Sequence, residues 1–338
     1  MVTIWAWVAF LTLVLAILAI DLGVLNRTAH VVRMREAITF TVFTMVLAAA
    51  FAGLIFVAYE HHMLALGIRP DAVDHAVNGG RLAAIKFLTG YLVELSLSMD
   101  NVFVIALLFH HLRVPAEHQH RVLFWGILGA LVMRGAMIGI GTSLVARFQW
   151  VLYLFGAFLV FTAVRILVTK DEHEAPEEAA VVRFLRRHFR VSDRFADQHF
   201  IVRINAQRYL TPLAVALVLV ETSDLIFAVD SIPAIFAITA DPFLVFTSNV
   251  FAILCLRSLY FGLASLIEKF RYLKVSLAII LALVGLKMLA AAPLHHIAGE
   301  TLNLWILGLV IAILVAGALA SAIVARWERD RNGPPGPA

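Results

Sequence analysis

The sequence predicts an all-α, polytopic membrane protein of about nine transmembrane helices that contains an inverted three-helix repeat. Three observations carry this: an apolar excess, nine apolar segments of spanning length, and matched spacing of the charges inside those segments. Of the 338 residues, 62% are apolar and 15% charged, against a usual balance of about 45–50% and about 25%. With a mean hydropathy of +0.91, the composition excludes a soluble enzyme, a disordered chain and a nucleic-acid binder. The lipid bilayer is the expected surroundings.

A hydrocarbon core about 30 Å thick needs roughly 20 helical residues to cross it. Segments near 4–25, 37–59, 85–109, 122–143, 150–168, 210–232, 243–266, 275–292 and 302–325 have that length and apolarity. The first lacks a basic leading region and a small-residue cleavage site, so it reads as a retained span. Residues 1–338 are expected to form one integral membrane domain, with a loop at 169–209. A Gly- and Pro-rich end should leave a disordered tail at 328–338.

Lys and Arg in alternate loops set the orientation. Nineteen fall on one side, eight of them within 169–209, against Arg69, Arg81, Lys86 and Arg147 on the other. The positive-inside rule makes the richer side cytoplasmic, with the amino terminus outside and the carboxyl terminus inside. Loop 169–209 runs from an acidic to a basic stretch and reads as a solvated loop near anionic headgroups. Within it, the alternation Phe200-Ile201-Val202-Arg203-Ile204 fits a short hairpin strand.

The repeat comes from spacing. Asp100 to Arg134 is 34 residues and Asp224 to Arg257 is 33; Arg134 to Arg165 is 31 and Arg257 to Lys287 is 30. Gly139 and Thr142 follow Arg134 at the offsets at which Gly262 and Ser265 follow Arg257. Halves at about 85–168 and 210–292 each hold three spans, so the second starts from the opposite side of the membrane. Inverted repeats recur in secondary transporters, with the site near the midplane where the copies meet.

At that junction lie Glu94, Asp100, Glu221, Asp224 and Asp230. By insertion scales, five such carboxylates together cost on the order of 12–18 kcal/mol if unpaired. Arg134, Arg257 and Lys287 are the internal cations, with Arg165 near a span end. Either these bases neutralise the acids in a purely structural network, or some acids pair while others share a divalent cation with neutral oxygens from Asn101, Ser98, Ser223 and Ser231. Glu94, Ser98 and Asn101 share one helix face, and Glu221 and Asp224 are neighbours at i and i+3. Asp100 and Asp230 point elsewhere on ideal helices, so Asp100 either joins the site or serves Arg134. Pro233 is expected to loosen the backbone around Asp230.

Oxygen donors without thiolates suit Mn, Mg or Ca. The single cysteine, Cys255, excludes an intrachain disulfide and a thiolate cluster. Histidines at the span edges (His61-His62, His75, His295-His296, His110-His111, His118, His120) lack helical clamp spacing and read as interfacial. The spans carry no zinc-protease motif, Ser/His/Asp set or cofactor box, so no enzyme is expected.

The stretches Glu94-x-Ser96-Leu97-Ser98-x-Asp100-Asn101 and Glu221-Thr-Ser-Asp224-Leu-Ile-Phe-Ala-Val-Asp230-Ser-Ile-Pro resemble the TerC/Alx family of bacterial membrane proteins. Arg257-Ser-Leu-Tyr-Phe and Val284-Gly-Leu-Lys287-Met-Leu resemble it too. The resemblance covers nearly the whole chain, and every acidic position of both motifs is present. It implies an inner-membrane metal-ion exporter, most often tied to manganese, in a family whose name records tellurite resistance.

The expectation is Mn(II) export by alternating access, with Glu94, Asp100, Asn101, Glu221, Asp224 and Asp230 as candidate metal ligands. Ser98, Ser223, Ser231, Arg134, Arg257 and Lys287 support them. Mn(II) is cargo, with no permanently bound cofactor, and protons are the expected counter-ion because no ATP-binding motif appears. The alternative is a membrane scaffold serving stress or tellurite resistance, its buried ion pairs structural.

Overall fold

The computed structural model of the chain describes residues 4–20, 34–168, 176–192, 195, 199–204, 207–263, 273–290 and 301–331. Among the described residues, ten α-helices carry the fold: α1 (Ile4–Ile20), α2 (Met34–Glu60), α3 (Gly80–His111), α4 (Ala116–Arg147), α5 (Trp150–Val168), α6 (Pro176–His188), α7 (Pro212–Phe236), α8 (Pro242–Leu263), α9 (Leu273–Leu289) and α10 (Thr301–Arg331). Six of them contain stretches long and apolar enough to cross a membrane, in α2, α3, α4, α5, α7 and α10. Three shorter apolar helices, Ile4–Ala19, Pro242–Leu256 and Val275–Leu289, fall where the first, seventh and eighth spans are expected. Large apolar side chains face outward along the bundle, among them Trp5, Val46, Leu54, Phe161, Trp305 and Leu319. In water such a surface would aggregate; in lipid it is a matched solvent.

Helices α3 and α4 run 32 residues each, about 48 Å at 1.5 Å per residue, and so outreach the hydrocarbon at their ends. They are the central elements. Helix α3 packs along α8, α2, α7 and α10, and α4 packs along α7 and α8. Helix α1 closes one flank through aromatic contacts of Trp7 and Phe10 with Phe243, Phe246 and Phe251.

Helices α5 and α9 make the most extensive pairing, and its cause is two glycines. A Cβ at Gly285 would stand 2.8 Å from the Gly156 carbonyl oxygen, and one at Gly156 would stand 2.9 Å from Cβ of Met288. Small residues let backbones approach closely, which is how helices associate in lipid.

Three sequence expectations change. Helix α7, capped by Thr211 and opened by Pro212, is helical without a break through Pro233 to Phe236, so the backbone around Asp230 is not unwound. Pro233 sits in the last turn, where only one helical hydrogen bond is forfeited. Loop 169–209 contains a helix, α6: Pro176 opens it, Glu177 and Glu178 lie in its first turn, and Arg186, Arg187 and His188 lie in its last. That charge order follows the helix dipole. Helix α10 continues to Arg331, into the stretch expected to be tail; residues 332–338 lie outside the described ones. The hairpin is present as β1 (Ile201–Ile204) paired antiparallel with β2 (Gln207–Leu210).

The α5–α9 contact sets a test. Gly285→Ala should lower the thermal unfolding midpoint of the detergent-solubilised protein, at a cost of about 1–3 kcal/mol for overpacking. Gly308→Ala, with nothing within 4 Å of the new carbon, should leave it unchanged. Equal midpoints for both variants would remove the glycine contact as a determinant of the fold.

Candidate functional site

At mid-length, α3, α4, α7 and α8 turn polar residues towards a common point. Arg134 of α4 is 2% exposed, and it ion-pairs with Glu94 of α3 and Asp224 of α7. The Asp224 contact is a fork: Nη2 donates to Oδ1 at 2.8 Å and Nε to Oδ2 at 3.2 Å. Nη1 donates to Glu94 Oε1, to Asn249 Oδ1 of α8 at 3.0 Å, and at the limit of reach to Ser231 Oγ at 3.4 Å. Asn101 Nδ2 of α3 donates to Asp224 Oδ1 at 3.0 Å. The planar guanidinium, which cannot lose its charge here, thus ties α3, α7 and α8 to α4 in fixed geometry.

The face expected from the spacing of α3 is observed. Glu94, Ser98 and Asn101 are all buried, at i, i+4 and i+7. Glu94 Oε2, Ser98 Oγ and Asn101 Oδ1 are buried oxygens with no hydrogen-bond partner among the described residues, as is the nitrogen Asn249 Nδ2. Buried polar atoms are nearly always satisfied, so a row of three unpartnered oxygens on one helix face calls for an occupant. Beside the last of them lies a cavity of about 30 Å³, bordered by Asn101 and Asp224 and otherwise by apolar residues such as Ile105, Leu123, Gly126 and Val220; Glu94 and Ser98 do not line it. Room of that size holds one water-sized species. It opens the space between the central residues and the α3–α4 turn.

The remaining expected residues distribute differently. Glu221 is half-buried one turn before Asp224, its carboxylate filling the space that a side chain at Gly129 of α4 would take. Asp230 faces α5, beside Thr162 and Arg165, away from Arg134, as the unbroken helix requires. Ser223 is buried, and Ser231 reaches Arg134. Lys287 does not serve the central acids: its Nζ donates to Asn303 Oδ1 at 2.9 Å, near one end of the bundle. The side chains of Asp100 and Arg257 lie outside the described residues. Among the described residues, no group of three or more His, Cys, Asp or Glu gathers around one point; Arg134 stands between the two central carboxylates.

Asn249 is the central residue that the motif reading missed. Its signal was the polar run Thr247-Ser248-Asn249 inside the apolar α8, a cheaper intrusion into lipid than a charge and so less conspicuous.

The sequence profile of the integral membrane protein TerC family matches residues 80–331. The chain belongs to this family. Its relatives span almost the same length. Among them is an uncharacterised membrane protein of Myxococcus xanthus, 43% identical over 97% of this chain and 93% of its own. Alx of Escherichia coli K12, described as a candidate membrane-bound redox modulator, is 43% identical over 97% of both chains. A membrane protein of Rickettsia felis is 35% identical over 94% of this chain and 97% of its own. No solved structure matches the chain.

The central ion pairs set the second test. Arg134→Gln leaves Glu94 and Asp224 buried without their cation and should destabilise the protein by about 3–5 kcal/mol. Adding Glu94→Gln to it should recover part of that loss, because the two sites are coupled. A single Arg134→Gln variant that melts with the parent protein would show that the network carries no weight.

Proposed function

We propose that this protein is a divalent metal-ion transporter of the bacterial inner membrane that exports Mn(II) by proton-coupled alternating access. The observation that carries the reading is the row of unpartnered oxygens on α3, Glu94 Oε2, Ser98 Oγ and Asn101 Oδ1, which ends at a cavity of ion size bordered by Asn101 and Asp224. Carboxylate, hydroxyl and amide oxygens without thiolate are the donors that hard and borderline ions prefer. Glu221, Asp230 and Asp100 are assigned as further ligands or proton carriers along the path.

Arg134 has the role of a tethered surrogate. Its guanidinium holds Glu94 and Asp224 when cargo is absent, and an arriving divalent ion competes for the same carboxylates. Neither state then leaves the acids uncompensated in a low-dielectric interior. Moving a divalent ion outward against an inside-negative potential costs about 4.6 kcal/mol per 100 mV, and proton entry through the carboxylates supplies the opposing flow.

The proposed architecture is nine spans with the amino terminus outside, the carboxyl terminus in the cytoplasm, and two inverted three-helix units, α3–α5 and α7–α9. Helix pairing supports the units. Exchanging α3 with α7, α4 with α8 and α5 with α9 turns the α3–α8 contact into α7–α4 and the α3–α9 contact into α7–α5, and all four occur. The pairs α3–α7, α4–α8 and α5–α9 map onto themselves and occur too.

The rival reading is a membrane scaffold with structural ion pairs, favoured by the completeness with which Arg134 already neutralises its two partners. A redox role, as in the description of Alx, would have to act through the ion moved, since a single cysteine provides no dithiol to cycle.

Purified protein in liposomes under a proton gradient should accumulate Mn(II), and both Asp224→Asn and the Ser98→Ala/Asn101→Ala pair should cut the flux at least about tenfold, a difference of about 1.4 kcal/mol or more. Absence of Mn(II) flux from folded parent protein would refute the exporter reading. Full flux in Asp224→Asn would favour the scaffold.

A further inference from the structure

A second buried charge network lies at the opposite end of the bundle from the α3–α4 turn, eight residues before Glu94 on α3, or about 12 Å along its axis. Its hub is Lys86, 0% exposed. Lys86 Nζ meets Asp71 Oδ2 at 2.9 Å, Asp74 Oδ2 at 2.8 Å and Asn78 Oδ1 at 2.7 Å. Asp71 also accepts from the Thr239 hydroxyl and, at 2.9 Å, from the Ala240 amide, which ties the 61–79 connection to the α7–α8 turn. Burial works against the charge of Asp71, but Lys86, Thr239 and Ala240 outweigh it and hold the carboxyl below its usual range. Tyr59 at the end of α2 donates to Asp241 Oδ2 at 2.9 Å. Lys287 of α9 holds Asn303 of α10, whose Nδ2 reaches Asp74 Oδ2 at 3.3 Å. The ends of α2, α3, α7, α8, α9 and α10 are therefore gathered by one ionic cluster.

Two further observations separate this cluster from an ordinary staple. The connection that it grips is strained: His62, Leu64, Ala65 and His75 all have φ between 48° and 60°, a region that non-glycine residues keep only where the surroundings enforce it. The two sides of Arg134 also differ. Towards the α3–α4 turn lies the cavity; towards Lys86 the space is filled, with the Phe236 ring pressed where a side chain at Gly141 would stand and the Phe246 ring 3.2 Å from where one at Gly135 would stand.

We infer that the Lys86 network is an ionic clasp that keeps this mouth shut while the opposite side is open, and that it must part for an ion to leave by this side. Lys86 is a positioning residue in this account, with Asp71 and Asp74 as the jaws it closes. The strained connection favours release once the ion pairs are broken. The clasp rests on the alternating-access reading above and adds to it which contacts change.

The test uses thiol labelling in nanodiscs, where both faces are accessible, in a Cys255→Ala background. Ala237→Cys reports on the clasped mouth, since Ala237 is 0% exposed two residues before Thr239, and Ala130→Cys reports on the opposite cavity, which it lines. Adding Lys86→Met should speed maleimide reaction at position 237 at least about tenfold and slow it at position 130, because a two-state equilibrium moves both ends together. Unchanged rates would overturn the clasp. So would a rise at both positions, which signals loosened packing. Should Lys86→Met fail to fold, Asp74→Asn removes one jaw and should give the same reciprocal change at smaller amplitude. Reciprocal labelling without Mn(II) flux in the parent protein would keep the clasp and reject the cargo; flux without reciprocal labelling would do the reverse.

Discussion

The fold depends on one buried cation. Arg134 draws Glu94 from α3 and Asp224 from α7 against α4, and adds Asn249 from α8. Without it, two carboxylates would sit in a low-dielectric interior at a cost that the apolar contacts around them could not readily absorb. Lipid offers little hydrophobic incentive for helices to associate, so directional polar contacts of this kind fix which helices meet and at what height. The glycine contact between α5 and α9 supplies the complementary term, close packing without charge.

A network that is fully paired gives rigidity, and one that is partly paired leaves polar atoms over for another partner. The centre of this protein is of the second kind. Arg134 saturates one oxygen of Glu94 and both of Asp224, while Glu94 Oε2, Ser98 Oγ and Asn101 Oδ1 are left over. The Lys86 end is of the first kind: every jaw has its donor. The contrast between an under-satisfied centre and an over-determined end is what a carrier needs if it is to bind reversibly at one place and hold firm at another.

Much of this was legible in the sequence. The apolar segments located the helices, and the i, i+4, i+7 spacing put Glu94, Ser98 and Asn101 on one face, as found. What spacing could not show was which base each acid would meet, because pairing across helices depends on relative rotation and height. Lys287 thus reads as a partner for span carboxylates although it serves Asn303. The clasp was hidden for a related reason. Lys86 sits where a span begins, and Asp71 and Asp74 lie in a connection, so all three count as loop charges until the fold buries them. Helix α6 was obscured by its own charge, and Pro233 misled because a proline near a helix end does less than one in its middle.

The length of α3 has a mechanical meaning. A rod of about 48 Å held near its centre by Glu94 behaves as a lever, and a tilt of about 20° about that point carries Lys86, about 12 Å from it, through roughly 4 Å. That distance is the reach of an ion pair. In the proposed cycle, one rocking motion of that size about Arg134 would part Lys86 from its aspartates at one end and close a gap at the other. On that reading the long helix would turn a local exchange of charge at its fulcrum into opposite movements at the two faces of the membrane.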